Sequence, residues 1–219
     1  TLTVVKVGGS LARGGRLRPL CAALARTAAR HDLLVVPGGG VFADAVRELD
    51  ARVHLEARTA HWMAVLAMDQ FGLALAELIP RGRAVCSAEQ ARVAGAEGAV
   101  AVLLPYEWLR QEDPLPHDWS VTGDSIAAWV ARECRAGTLV LLKDRRGVSA
   151  PLPGGSQPPR GALTAAVLGA WEGVDGHLGR LLDGLGADVW ILDGERPERL
   201  DELLDGGEPD GISVRWPAP

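Results

Sequence analysis

Two short apolar runs early in the chain, residues 2–5 and 33–36, each break into glycine. The first opens into Lys6-Val7-Gly8-Gly9-Ser10, the second into Pro37-Gly38-Gly39-Gly40. Apolar runs of this length, rich in Val and Leu, read as strands buried on both faces. A helical pattern follows each glycine turn, so a strand–turn–helix unit occurs twice in succession. Strands alternating with helices argue for a mostly parallel α/β sheet, expected here as a three-layer αβα sandwich. Open sheets of this kind hold ligands at the carboxyl ends of their strands. Glycine permits close backbone approach there, and successive N–H groups make an anion cradle.

The rest of the chain keeps the same rhythm. Residues 16–30 alternate Arg with Leu and Ala at helical spacing, and a helix is predicted over 41–52. The run 55–79 is helical and apolar nearly all round from residue 60 on, as in a buried helix or a subunit interface. Strands are predicted at 83–85 and 100–104, around a short helix at 88–93. Residues 109–119, with Pro114 and Pro116, read as a loop. A helix over 124–135 leads to a strand at 138–142. Residues 150–161 are Pro/Gly-rich and read as a mobile surface segment. Helices at 161–171, 176–185 and 197–204 and strands at 188–192 and 211–215 complete the pattern. No repeat or internal boundary shows, so the 219 residues are read as a single domain.

Net charge is −5, and no basic run is interleaved with aromatic residues. That argues against a nucleic-acid or anionic-membrane partner. No apolar stretch reaches the ~18 residues a membrane span needs. The start, Thr1-Leu2-Thr3-Val4, lacks a basic n-region, so no signal peptide is expected. Cys21, Cys86 and Cys134 lie far apart and match no metal spacing; they read as buried thiols in a reducing cytoplasm.

Lysine is nearly absent: Lys6 and Lys143 are the two among 23 basic side chains. Each closes an apolar strand run, where a compact point charge does what an arginine fork cannot. A further motif, Ser120-Val121-Thr122-Gly123-Asp124-Ser125, enters a helix. Asp124 could cap that helix or complement its dipole. Beside two lysine-bearing strand ends, a carboxylate could instead orient an ammonium or hold Mg²⁺ for phosphoryl transfer. The glycine runs could be tight turns only, and Lys143-Asp144-Arg145-Arg146-Gly147-Val148 a solvated turn, which leaves its lysine unexplained. Neither glycine run fits the Walker or dinucleotide spacing.

Together, Val5-Lys6-Val7-Gly8-Gly9-Ser10, Pro37-Gly38-Gly39-Gly40, Thr122-Gly123-Asp124-Ser125 and Lys143-Asp144-x-x-Gly147-Val148 resemble the amino-acid-kinase superfamily in their order. Val174-Asp175 and Glu195-Arg196-Pro197 are similar to the end of its uridylate-kinase pattern. Three further stretches, Val36 to Asp44, His61 to Gln70 and Leu115 to Thr122, look like the kinases of methanofuran biosynthesis, within one-carbon metabolism. Those enzymes convert a furan phosphate carrying an aminomethyl group into its diphosphate. Where many superfamily members carry a late lysine, this chain has His177 and Arg180, and arginines replace the usual acidic run after Asp144.

The resemblance implies a cytoplasmic, homo-oligomeric kinase that uses ATP and Mg²⁺ on a small phosphorylated substrate. It also implies an acceptor part over about residues 1–120 and a nucleotide part over about 121–219. Lys6, Asp124 and Lys143 would be catalytic, with Asp124 also placing Mg²⁺. Gly8, Gly9, Ser10, Thr122, Gly123, Asp144, Gly147 and Asp175 would hold nucleotide and phosphate. Gly38, Gly39, Gly40, Arg58, His61 and Asp69 would face the acceptor, Arg58 on its phosphate and Asp69 on its ammonium. Core packing is the other reading of His61 and Asp69, and a surface position that of Arg58. Alternatives are a kinase for uridylate, isopentenyl phosphate or an amino acid, or a non-catalytic nucleotide-binding or storage protein on the same fold.

Overall fold

The computed structural model describes residues 1–150, 161–168 and 171–215. Its strands are β1 (Thr3–Val7), β2 (Leu33–Pro37), β3 (Gly82–Val85), β4 (Val100–Leu103), β5 (Thr138–Lys143), β6 (Gly161–Thr164), β7 (Asp188–Asp193) and β8 (Ile212–Arg215). They form one sheet in the order β3-β4-β2-β1-β5-β7-β8-β6, and every pair is parallel except β7 with β8. The helices are α1 (Leu17–Ala28), α2 (Gly40–Val53), α3 (Ala57–Leu78), α4 (Ala88–Ala96), α5 (Pro105–Glu112), α6 (Gly123–Glu133), α7 (Arg145–Val148), α8 (Ala165–Leu168), α9 (Leu178–Leu182) and α10 (Glu198–Leu204).

Strand alternation sorts the apolar side chains into two cores, one on each side of the sheet. Val4 of β1 with Leu139 and Leu141 of β5 packs under α6 and α9. Val5 and Val7 with Val140 and Leu142 pack under α1 and α10. This is the expected αβα sandwich. The same alternation puts Lys6 on the face of Val4, and Lys143 on the face of Leu139 and Leu141. Both lysines are thereby aimed at the face that α6 covers.

Three readings of the sequence are corrected. Residues 105–112 are helical, where a loop was expected from 109 on: Pro105 sits at the first helical position, where its missing N–H costs nothing. Residues 161–164 form an edge strand paired with β8, and among the described residues 165–168 are helical, so the helical pattern from 161 yields to sheet pairing over its first four residues. Of the three cysteines only Cys21 is buried. The segment 151–160, expected to be mobile, lies outside the described residues. Among these residues no helix is long and apolar enough to cross a membrane.

β1 lies at the centre of the sheet. The chain leaves it for β2 on one side, while β5 flanks it on the other. A crevice opens at the carboxyl ends of strands where the order reverses in this way. Lys6 and Lys143 stand at that point.

Candidate active site

Asp124, in the first turn of α6 and 2% exposed, bridges the two lysines. Lys6 Nζ lies 2.8 Å from Oδ1 and Lys143 Nζ 2.5 Å from Oδ2. Burial alone would raise the Asp124 carboxyl. The ammonium groups of Lys143 and Lys6 overturn that and hold it well below the usual carboxylate range. Burial lowers the Lys143 ammonium, with Asp124 opposing it. The result is a fixed, water-poor cluster in which two ammonium groups share one carboxylate, which suits a developing phosphate charge.

The helix start that carries Asp124 is itself clamped. Asp175 accepts from the Thr122 N–H, the Thr122 hydroxyl and the Ser125 N–H at 2.9 Å each, and from the Leu178 N–H at 3.0 Å. The Ser125 hydroxyl also donates to it, and the Asp175 N–H donates to Asp124 Oδ2 at 3.2 Å. Asp175 therefore holds Thr122 and Asp124 in place, with both its oxygens already engaged. Asp144 likewise caps α7 by accepting from the Gly147 N–H at 2.8 Å.

The two glycine turns pack backbone against backbone. A Cβ on Gly9 would stand 2.1 Å from Gly40 N, and one on Gly38 2.7 Å from Gly9 N. Gly40 has φ +56°, the left-handed region that glycine tolerates best. The Gly8 N–H is spent on Leu142 O and the Gly38 N–H on Val7 O. The anion donors left are therefore the first-turn N–H groups that open the 3-10 helix Gly9–Arg13 and α2.

These turns floor a cleft of about 240 Å³ that includes Lys6, Ser10, Thr122 and Gly123. Its wall is His61, Val65 and Met68, one face of α3. His61 is buried against the His117 ring, with centroids 4.8 Å apart. Burial, and then His117, lower its imidazole to about 4. The mouth carries Arg13, Asp44, Arg47 and Trp119, which sequence reasoning missed.

Gly8, Lys143, Asp144, Gly147 and Asp175 do not line this cleft, and neither do two of the residues expected at the acceptor. Arg58 is exposed and does not line it. Asp69 faces α5, where Oδ1 accepts from the Tyr106 N–H at 3.1 Å, and burial pushes its carboxyl up to about 6. A second cleft, of about 990 Å³, opens beyond β5 and β7 and is lined by Arg16, Arg145, Asp193, Glu195 and Arg196, among others. His177 and Arg180 line neither cleft.

The donor set does not fit a protein-held Mg²⁺. Among the described residues no three His, Cys, Asp or Glu side chains gather into a metal site, and both Asp124 oxygens face ammonium groups. Mg²⁺ commonly binds through substrate phosphates with few protein ligands.

A mostly parallel sheet with two lysines converging at its reversal point, two glycine turns and two clefts fits a phosphotransferase acting on small molecules. The model of the amino acid kinase family matches residues 1–157, and the chain belongs to that family. It is 27% identical over 205 residues, 93% of each chain, to a [5-(aminomethyl)furan-3-yl]methyl phosphate kinase of Methanocaldococcus jannaschii. Uridylate kinase from Archaeoglobus fulgidus shares the fold at TM-score 0.74 and 16% identity, covering 97% of this chain and 99% of that one. UMP kinase from Ureaplasma parvum does so at 0.72 and 17%, covering 98% and 99%.

Proposed function

We propose that this chain transfers the terminal phosphoryl group of ATP to [5-(aminomethyl)furan-3-yl]methyl phosphate, giving the diphosphate. The observation that carries this reading is the buried Lys6–Asp124–Lys143 bridge. Lys6 lines the smaller cleft, and Lys143, which lines neither, ends β5 beside Asp193 of the larger cleft.

The acceptor lies in the smaller cleft with its phosphate at the Gly9, Ser10, Gly39 and Gly40 turns, and ATP lies in the larger. Lys6 neutralises charge between donor and acceptor oxygens, and Lys143 does so from the nucleotide side. Asp124 aims both ammonium groups; a Mg²⁺ ion held by the nucleotide's own phosphates would add further charge neutralisation. The acceptor oxygen is already ionised, so no general base is required; alignment and charge stabilisation do the catalysis. Neutral His61 offers a hydrogen bond to the acceptor.

The division near residue 120 agrees with most of this placement: residues before it build most of the smaller cleft, with Val121–Ile126 closing it and Arg16 and Pro19 reaching the larger one. The same reading makes the enzyme a cytoplasmic homo-oligomer. Leu66 and Leu73 of α3, 41% and 55% exposed, support a subunit interface, which light scattering across a concentration range tests.

The deciding experiment offers the purified protein ATP, Mg²⁺ and, in turn, the furan phosphate, uridylate and isopentenyl phosphate, with products read by phosphorus NMR. The furan phosphate should show the highest kcat/KM. Faster turnover of another acceptor refutes the substrate, and binding of ATP without turnover of any acceptor favours a binding protein.

A further inference from the structure

The smaller cleft has a charged mouth that the transfer step leaves unused. Resting on the reading above, we propose that Asp44 reads the acceptor's ammonium group, exchanging its Arg13 partner for it. Among the described residues that line this cleft, Asp44 is the one carboxylate. It pairs with Arg13 and, at 3.3 Å, with Arg47. The Arg47 guanidinium lies over the Trp119 ring, 4.8 Å from its centroid, and the Trp119 indole N–H donates to Asp50 at 2.8 Å. The aromatic wall and the second guanidinium are thus fixed to α2, while Arg13 comes from the separate 3-10 helix Gly9–Arg13.

Position supports the assignment. Asp44 follows Gly40 by four residues, so it lies on the same face of α2, about 6 Å further along the axis. An acceptor whose phosphate rests at the start of α2 would present its next polar group at that distance. A five-membered ring with a phosphate arm and an aminomethyl arm bridges such a gap. The volume of about 240 Å³ lies below the usual range for drug-sized ligands, which suits an acceptor this small.

The exchange is energetically easy. The Arg13 and Asp44 side chains are 59% and 43% exposed, and ion pairs at such exposure contribute little. An incoming ammonium replaces one cation at Asp44 with another, and Arg13 turns to solvent. Arg47 stays on Trp119, whose ring forms a flat wall for the acceptor. Asp69, the carboxylate expected from the sequence to meet the ammonium, is occupied at the start of α5.

The test compares wild type with Asp44→Asn, Asp44→Glu and Asp69→Asn on two acceptors: the aminomethyl furan phosphate and an analogue with methyl in place of aminomethyl. In Asp44→Asn the preference for the amine, as a ratio of kcat/KM values, should fall roughly ten- to hundredfold, chiefly through KM. Asp44→Glu should recover much of it, and Asp69→Asn should retain it. Equal losses on both acceptors, or a preference lost in Asp69→Asn and kept in Asp44→Asn, overturn the proposal. Wild type that ignores the furan phosphate overturns the proposed function itself. Wild type that uses it, with Asp44→Asn equally selective, overturns this inference alone.

Discussion

Replacing Asp124 by asparagine probes the centre of the site, because it removes charge while keeping volume. The carboxylate holds two ammonium groups at 2.8 and 2.5 Å in a space closed to water. Without it, Lys6 and Lys143 face each other with Asp175 as the remaining, more distant counter-charge. Removing one partner of a buried pair costs about 3–5 kcal/mol, a large share of a typical total of about 5–15 kcal/mol. At roughly 2–4 °C per kcal/mol for a chain of this length, the unfolding midpoint should drop by about 6–20 °C.

That loss should depend on pH. Burial lowers the Lys143 ammonium, and Asp124 opposes it. In the variant this opposition is gone, so the folded-state value sinks further below the unfolded one, near ~10.4. Between the two values the unfolded chain binds more protons, and stability rises with pH. The deficit against wild type should therefore narrow from about pH 7 to about pH 9.5. Wild type has the Asp124 contribution at every pH above the unfolded value of ~3.9, and loses it only as pH falls through the depressed folded value. Urea denaturation at the two pH values measures the deficit. Turnover per folded molecule should show kcat falling far more than KM for ATP rises, because an aimed carboxylate acts in the transition state. A midpoint within about 2 °C of wild type, or a deficit that ignores pH, would refute the view of Asp124 as the counter-ion of two buried charges.

Lys6→Ala leaves the Asp124–Lys143 pair standing, so it should melt close to wild type while turnover per folded molecule falls about 100- to 1000-fold; normal turnover would make Lys6 structural. Lys6→Arg should fail as well, since a planar fork cannot take the place of a point charge against Gly123. Gly9→Ala puts a methyl group 2.1 Å from Gly40 N, and should cost about 1–3 kcal/mol by denaturation while raising acceptor KM. A variant as stable and active as wild type would show that the two turns need not touch. His61 resists protonation down to about 4 against an ordinary 6.5, so at this residue the unfolded chain gains a proton first and its contribution to stability falls as pH drops through that window, while Asp69, raised to about 6, works the other way. His61→Gln should flatten the stability profile there, and a slope as steep as wild type's would place the acid sensitivity elsewhere.

The floor of the site was legible because strand formation and alternation are local properties. An apolar run of four or five residues followed by lysine or glycine announces both a buried strand and its carboxyl end. Period-two alternation then decides the face of Lys6 and of Lys143. The proline pair at 114 and 116 misled the reading of its neighbourhood, since Pro105 could start a helix that ends before them. The pattern at 161–171 could not reveal that a distant strand, β8, takes up residues 161–164.

The glycines Gly38–Gly40 and His61 reach the smaller cleft as expected, but the charged residues at its mouth were not legible, and Asp69 and Asp44 show why. Both are single carboxylates on long helices, and helical periodicity says which neighbours share a face without saying what that face meets. Only packing turns Asp69 toward α5 and Asp44 toward the cleft. The same holds for Asp175, which is fifty residues from the turn it clamps, and for Arg13, Arg47 and Trp119, whose meeting depends on three segments converging. The sequence alone determined the parallel α/β sheet, the two glycine turns and the lysines at its strand ends, because those follow from backbone periodicity and local sterics. The tertiary structure alone decided that Asp124 bridges both lysines at once and which charges line the smaller cleft, because those depend on long-range packing that no local pattern encodes.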